Sequence, residues 1–354
     1  MSKAASYILI LFGLVLLWAS TSRSAMEYIT GKRDTAAWWG TYQGKNGDLV
    51  SMSYLDFIGR FKPPVNVPPA AAPVAITKNT VLYLHGDSYS RHLHDTMFAG
   101  VSRLYLIDRN HGLNYHLDST KNNILLIEVA ERYFRPYFGG LQMLNEVCDS
   151  LVKKKSIANI PLALQNEHVH YASLLPFSVD DLFNKYINQN LQCNLFNYNC
   201  IMPLFWSKAS LNYYAFNRAS GDVVISNDRQ FLFYKETVSL TDKGSSYSPL
   251  EPGEIASIIA NLDTIYDHYK ASGFKEVYFS VIPNTATIAQ PTGYNNLIPL
   301  IQNDPRLKMN IIDIYSVFKQ TKQDIYMHGD THWNSTGRQL WVDLVNTELA
   351  KFAH

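Results

Sequence analysis

Along most of the chain, short apolar runs bounded by polar residues alternate with apolar stripes recurring at steps of three and four. The runs from Thr80 to Leu84 and from Asn122 to Ala130 predict buried strands, because a strand covered on both faces has no polar side. "EVYFSVIP", Glu276 to Pro283, predicts a third, and "MNIIDIY", Met309 to Tyr315, a fourth. Ile255, Ile258, Ile259, Leu262, Ile265, Tyr266 and Tyr269 share one helical face, closed by Gly273. Leu340, Trp341, Leu344, Val345, Leu349 and Phe352 define a last helix. Strands alternating with helices predict an α/β sandwich with a mostly parallel sheet. From about 149 to 250 this rhythm breaks, which predicts an insertion or subdomain containing a hairpin in "DVVISNDRQFLFYKE".

The amino-terminal end follows a different pattern. Lys3 precedes the unbroken run "YILILFGLVLLWA" from Tyr7 to Ala19, so residues 1–25 are expected to be a signal anchor or a signal peptide, placing the rest outside the cytosol. The prolines of "FKPPVNVPPAAAPVAI", Phe61 to Ile76, forbid regular helix and favour an extended connector. Residues 26–78 therefore read as a membrane-proximal stem and linker, and residues 79–354 as the main domain.

Charge narrows the function classes. Lys and Arg total 31 against 30 Asp and Glu, so no broad positive field argues for nucleic acid as a partner. Three cysteines are too few for a disulfide scaffold, although Cys193 and Cys200 are close enough to pair in an exported chain. Plentiful tyrosine and tryptophan suit either sugar stacking or core packing.

Two stretches carry chemistry. In open parallel sheets, functional groups gather where strands end and helices begin. Gly86-Asp87-Ser88 follows the first predicted strand, with a serine expected to open a helix beside free backbone N–H groups; the bland account is a turn or helix cap. In "HGDTHWNSTGRQL", Asp330 and His332 stand two apart directly before the final helix, so a carboxylate can orient an imidazole toward the same sheet edge. His85, Asp87, His328, Asp330 and His332 also have ligand chemistry for zinc. Their spacing matches no recognised metal motif, and serine acyl chemistry accounts for Ser88 without a metal or cofactor. Trp333 fits either a pocket wall or the core, and Asp87 a cap.

"LYLHGDSYS" resembles the nucleophile block of the SGNH (GDSL-type) hydrolase superfamily. "GDTHWN" resembles its Asp-and-His block in the form found in alginate and other exopolysaccharide O-acetyltransferases, and "ILLIEVAERYF" and "RQFLFYKE" are similar to further stretches of those enzymes. The anchored proteins that transfer D-alanine to teichoic acid share the layout of anchor, early serine and late histidine. Here Asp-x-His follows the serine, as in ordinary SGNH hydrolases, and no Gly-x-Asn-Asp block is found. The resemblance implies a three-layer sandwich, Ser88 as nucleophile, His332 as base and then acid, and Asp330 as the orienting carboxylate. It implies an active-site place for Arg132, which as a surface residue would instead pair with Glu128 or Glu131. It further implies O-acetyl transfer to a cell-surface or secreted polysaccharide, with a multi-pass membrane-bound O-acyltransferase as acyl donor. A carbohydrate esterase, D-alanyl transfer, and a non-catalytic assembly protein are the alternatives.

Overall fold

The strand from Thr80 to Gly86 is buried at every position, as befits the centre of a sheet covered on both sides. In the computed structural model, residues 3–22, 25–26, 47–62, 78–108, 113–115, 117–140, 147–149 and 187–352 are described. The strands are β1 (Thr80–Gly86), β2 (Val101–Asp108), β3 (Leu113–Tyr115), β4 (Asn122–Ala130), β5 (Val147–Asp149), β6 (Val223–Ile225), β7 (Leu232–Tyr234), β8 (Glu276–Ile282) and β9 (Asn310–Ile311). The helices are α1 (Lys3–Thr21), α2 (Asp48–Ser53), α3 (Glu131–Phe138), α4 (Ile187–Phe196), α5 (Met202–Phe216), α6 (Glu254–Ala271), α7 (Thr285–Ala289), α8 (Leu297–Gln302), α9 (Ile314–Gln320) and α10 (Ser335–Leu349).

The chain divides into two compact units, residues 1–45 with 159–216 and residues 46–158 with 217–354. In the second, five strands form one sheet in the order β2-β1-β4-β8-β9, with every neighbouring pair parallel. Alternate residues feed two cores. Val81, Tyr83, Leu125, Ile127 and Phe279 pack with Ile258, Leu262 and Ile265 of α6, while Leu82, Leu84, Ile124, Leu126 and Tyr278 pack with Phe318 of α9 and Trp341 and Val345 of α10. Helices thus cover both faces of the sheet. Because the chain leaves β1 for β2 on one side and enters β4 on the other, the crevice beyond the ends of β1 and β4 is a topological switch point.

The structure differs from the sequence reading in several places. Ser88 lies on a run of turns, residues 88–92, and opens no helix. The run from Met309 to Tyr315 holds only the two residues of β9, because the Asp313 side chain accepts a hydrogen bond from Ser316 N and starts α9 there. β2, unexpected from the sequence, is a sheet edge with one neighbour, so half-exposed residues blur its alternation. Of residues 26–78, read as a stem and linker, 47–62 group with the sheet in the second unit, and residues 27–46 and 63–77 lie outside the described residues. Of the segment from about 149 to 250, read as an insertion or subdomain, the described residues 187–216 group with the amino-terminal helix and the antiparallel hairpin of β6 and β7 groups with the sheet. Cys200 is a free, half-buried thiol, and the side chains of Cys148 and Cys193 lie outside the described residues.

Within the first unit, α1 is long and apolar enough to cross a membrane, by length and composition.

Candidate active site

Gly86 ends β1 at a place with no room for a side chain: a Cβ there would stand 2.6 Å from both Glu128 Oε2 and Ser90 Oγ. The chain must turn, and Asp87 fixes how. Its Oδ1 accepts from Tyr89 N and its Oδ2 from Ala130 N, both at 3.0 Å, while its own N–H donates to Glu128 Oε2 at 3.1 Å. Ser90 N and Oγ both donate to Asp87 O, at 3.2 and 2.9 Å. Asp87 is thus the cap of a turn, and the turn holds Ser88 at the switch point. Among the described residues no partner takes the Ser88 amide.

The opposite wall is the loop before α10. Asn334 starts that helix, its Oδ1 accepting from Thr336 N and Gly337 N, and Tyr89 O–H donates to Thr331 O at 2.5 Å. Between these fixed points, Asp330 Oδ1 accepts from His332 N at 3.0 Å and lies 2.6 Å from His332 Nδ1. His332 Nε2 lies 2.7 Å from Ser88 Oγ. With the Nδ1 proton directed at a carboxylate, Nε2 is the lone-pair nitrogen and faces the serine hydroxyl. Burial alone would raise the Asp330 carboxyl, but the hydrogen bond and charge of His332 and the amide of Asp48 bring it below the usual carboxylate range. The Tyr89 ring sits 4.9 Å from the imidazole, and Trp333 meets Tyr89 edge-on and packs 5.7 Å from Trp341. Trp333 is core.

Sequence reasoning missed Asp48. Its backbone N–H donates to Asp330 Oδ2 at 3.0 Å, and its own carboxylate accepts from Thr331 N at 3.0 Å and Thr331 Oγ1 at 2.8 Å. Val50 N donates to Gly329 O at 3.0 Å. Segment 47–50 therefore clamps the loop that carries Asp330 and His332, and only a contact across 282 positions reveals it. Although Asp48 is exposed at its outer edge, desolvation of its carboxylate against the loop and then the Asp330 charge raise it above the ordinary range. A group raised on folding adds stability that is present below its unfolded value and lost as pH rises through its folded value. The melting-temperature advantage of the parent over Asp48→Asn is accordingly expected to grow as pH falls from 7 to about 4. A constant difference across that range, measured by calorimetry, would contradict this electrostatic account.

Arg132 sits in the first turn of α3 and pairs with neither candidate carboxylate. Glu128 takes the Asp87 amide, and Glu131 accepts from Asn284 N at 2.8 Å and Thr287 Oγ1 at 2.5 Å. The guanidinium lies 4.9 Å over the Tyr133 ring, and its charge acts on Tyr89 and Asp87, the two neighbours of Ser88. Together with Leu49, Phe233, Tyr234, Thr285 and Thr331 it lines a shallow surface cleft. The five residues considered for zinc do not converge. His328 is paired with Asp324 at 2.5 Å, and the buried His85 stacks near Tyr137. Ligand-type atoms of Asp48, Asp330 and His332 do lie within 4.8 Å of one another. Each is already engaged in the hydrogen bonds just given.

No protein-family model, no curated protein and no solved structure matches this chain.

Proposed function

We propose that the chain is an exported, membrane-tethered serine acyltransferase, acting as an O-acetyltransferase on a cell-surface or secreted polysaccharide. The observation that carries this reading is the continuous relay Asp330 Oδ1, His332 Nδ1, His332 Nε2, Ser88 Oγ, with its links of 2.6 and 2.7 Å. A relay of these three groups has one chemical use that needs all of them in this order, the activation of a hydroxyl as nucleophile.

Ser88 Oγ attacks the acyl carbonyl while His332 Nε2 takes its proton. Asp330 stabilises the imidazolium, and the Ser88 N–H faces the oxyanion. The intermediate collapses, the donor leaves with the proton returned from Nε2, and an ester on Ser88 remains. An acceptor hydroxyl then surrenders its proton to His332 and attacks that ester, freeing Ser88. Arg132 and the cleft beside Thr331 orient the acceptor.

The resemblance of the two motifs supports a multi-pass membrane-bound O-acyltransferase as donor. A tether in the same membrane raises the local concentration of the two proteins. Water in place of the acceptor gives the esterase reading with the same residues.

The test is to incubate the purified chain with 4-nitrophenyl acetate and look for acetyl on the Ser88 peptide by mass spectrometry. Acetyl on Ser88, with turnover accelerated by added oligosaccharide, is the expected result. Turnover indifferent to oligosaccharide favours the esterase, and no adduct on Ser88 overturns both.

A further inference from the structure

The first unit places an apolar surface where a soluble protein carries charge. α5 buries Met202, Ala209 and Tyr213, spaced so that they form one stripe. The opposite stripe of a surface helix is ordinarily polar. On α5 it carries Leu204, Leu211 and Tyr214, exposed by 72%, 59% and 66%. Leu204 and Leu211 lie two turns apart on one line, and Phe216 is 60% exposed at the helix end.

Composition points to what covers that stripe. From Ile187 to Gly221 there is no Asp or Glu, and the basic residues are Lys208 and Arg218. Phe205, Trp206, Tyr213, Tyr214 and Phe216 share α5. An aromatic helix free of carboxylates, whose outer face sets Ser207 and Lys208 among Leu204, Leu211 and Tyr214, has the chemistry of a bilayer interface, where leucines enter the acyl boundary, a lysine reaches the headgroups and acids are repelled.

Position gives the same answer independently. The 19 residues of α1 rise about 28 Å, close to the thickness of a hydrocarbon core. Its polar end, Ser20 to Ser22, is buried. Asn190 Nδ2 of α4 donates to Ser20 O at 2.8 Å, and Asn194 Nδ2 to Ser20 Oγ at 3.0 Å. Ser20 O is one of the carbonyls that a helix end leaves without a partner, so α4 caps α1 at the level where the span would meet the headgroups. Cleavage of α1 would strip α4 of both bonds.

We propose that α4 and α5 form a collar around the end of α1 and that the outer stripe of α5, Leu204, Leu211 and Tyr214, lies in the lipid bilayer interface. This rests on the membrane tether in the proposed function and is independent of the chemistry at Ser88. The collar restrains the angle and height of the unit on the membrane, which a single span does not.

The test places the photo-crosslinker p-benzoylphenylalanine at Leu204, at Leu211 and, as control, at Leu240, which is 72% exposed in the other unit. The full chain is reconstituted in vesicles of phosphatidylcholine and phosphatidylglycerol at about three to one, irradiated, and its peptides weighed; lipid adducts at Leu204 and Leu211 are expected at about ten times the Leu240 yield. Yields equal to that of Leu240 in a vesicle-bound chain overturn the collar, as do protein adducts at these positions in native membranes. A chain recovered without α1 overturns collar and tether together, while leaving acylation of Ser88 as it stands.

Discussion

Alanine at Ser88 is expected to lower acyl transfer by on the order of 10⁴-fold or more, since a relay that has lost its nucleophile retains only binding and oxyanion stabilisation. The fold should hardly notice. The hydroxyl's bond is to His332 Nε2, and losing one half-exposed hydrogen bond costs about 1 kcal/mol. A large loss of activity with a nearly unchanged melting temperature therefore separates chemistry from structure. In the producing cell the readout is ester-linked acetyl on surface polymers. Unchanged acetylation would sink the transferase reading, and increased acetylation would point to a deacetylase.

Gly329→Ala should be nearly as damaging for a different reason. Gly329 lies between the amino-terminal segment and the loop of Asp330, and a Cβ there would run into Val50 Cγ2 on α2 and the Phe61 carbonyl at once. Gly47 approaches from the other side, its own Cβ direction ending 2.5 Å from Gly329 O. Two backbones are held too close for any side chain. Overpacking of this kind costs about 1–3 kcal/mol. Relief by sliding the loop would move Asp330, and with it the imidazole, for which a shift of about 1 Å costs about 10²-fold in rate. Both effects should appear, one in the urea midpoint and one in the rate of Ser88 acylation. Gly59→Ala, with nothing within 4 Å of its Cβ direction, is the control expected to leave both near the parent values. Equal behaviour of the two variants would show that the clamp does not constrain the site.

Much of this architecture is legible in the chain because the relevant signals are local. β4 runs from Asn122 to Ala130 as the apolar residues of that run, interrupted only by Glu128 after Ile124, indicate, and α6 carries its stripe up to the reversal at Gly273, where φ is 104°. Ser88, Asp330 and His332 stand out because their spacing relative to a strand end and a helix start is itself short-range. What stays hidden is tertiary. Asp48 belongs to an undistinguished "GDLVSMS" in a segment that reads as a stem, and its role exists only once Gly329 and Thr331 lie against it. The edge strand β2 is hidden for the opposite reason, since partial exposure leaves it no clean period. The turn at Ser88 reads as a helix start because a serine after a strand usually caps one, whereas here Asp87 spends its carboxylate on Tyr89 N and Ala130 N.

The separation of 244 positions between Ser88 and His332 has a consequence for the growing polypeptide. A chain is made from its first residue onward, so the hydroxyl emerges long before the imidazole that activates it, and the clamp at Asp48 must wait as well. Until the last helix has been made, the serine has no imidazole beside it and stays an ordinary alcohol, so any reactivity the pair confers is confined to the finished chain.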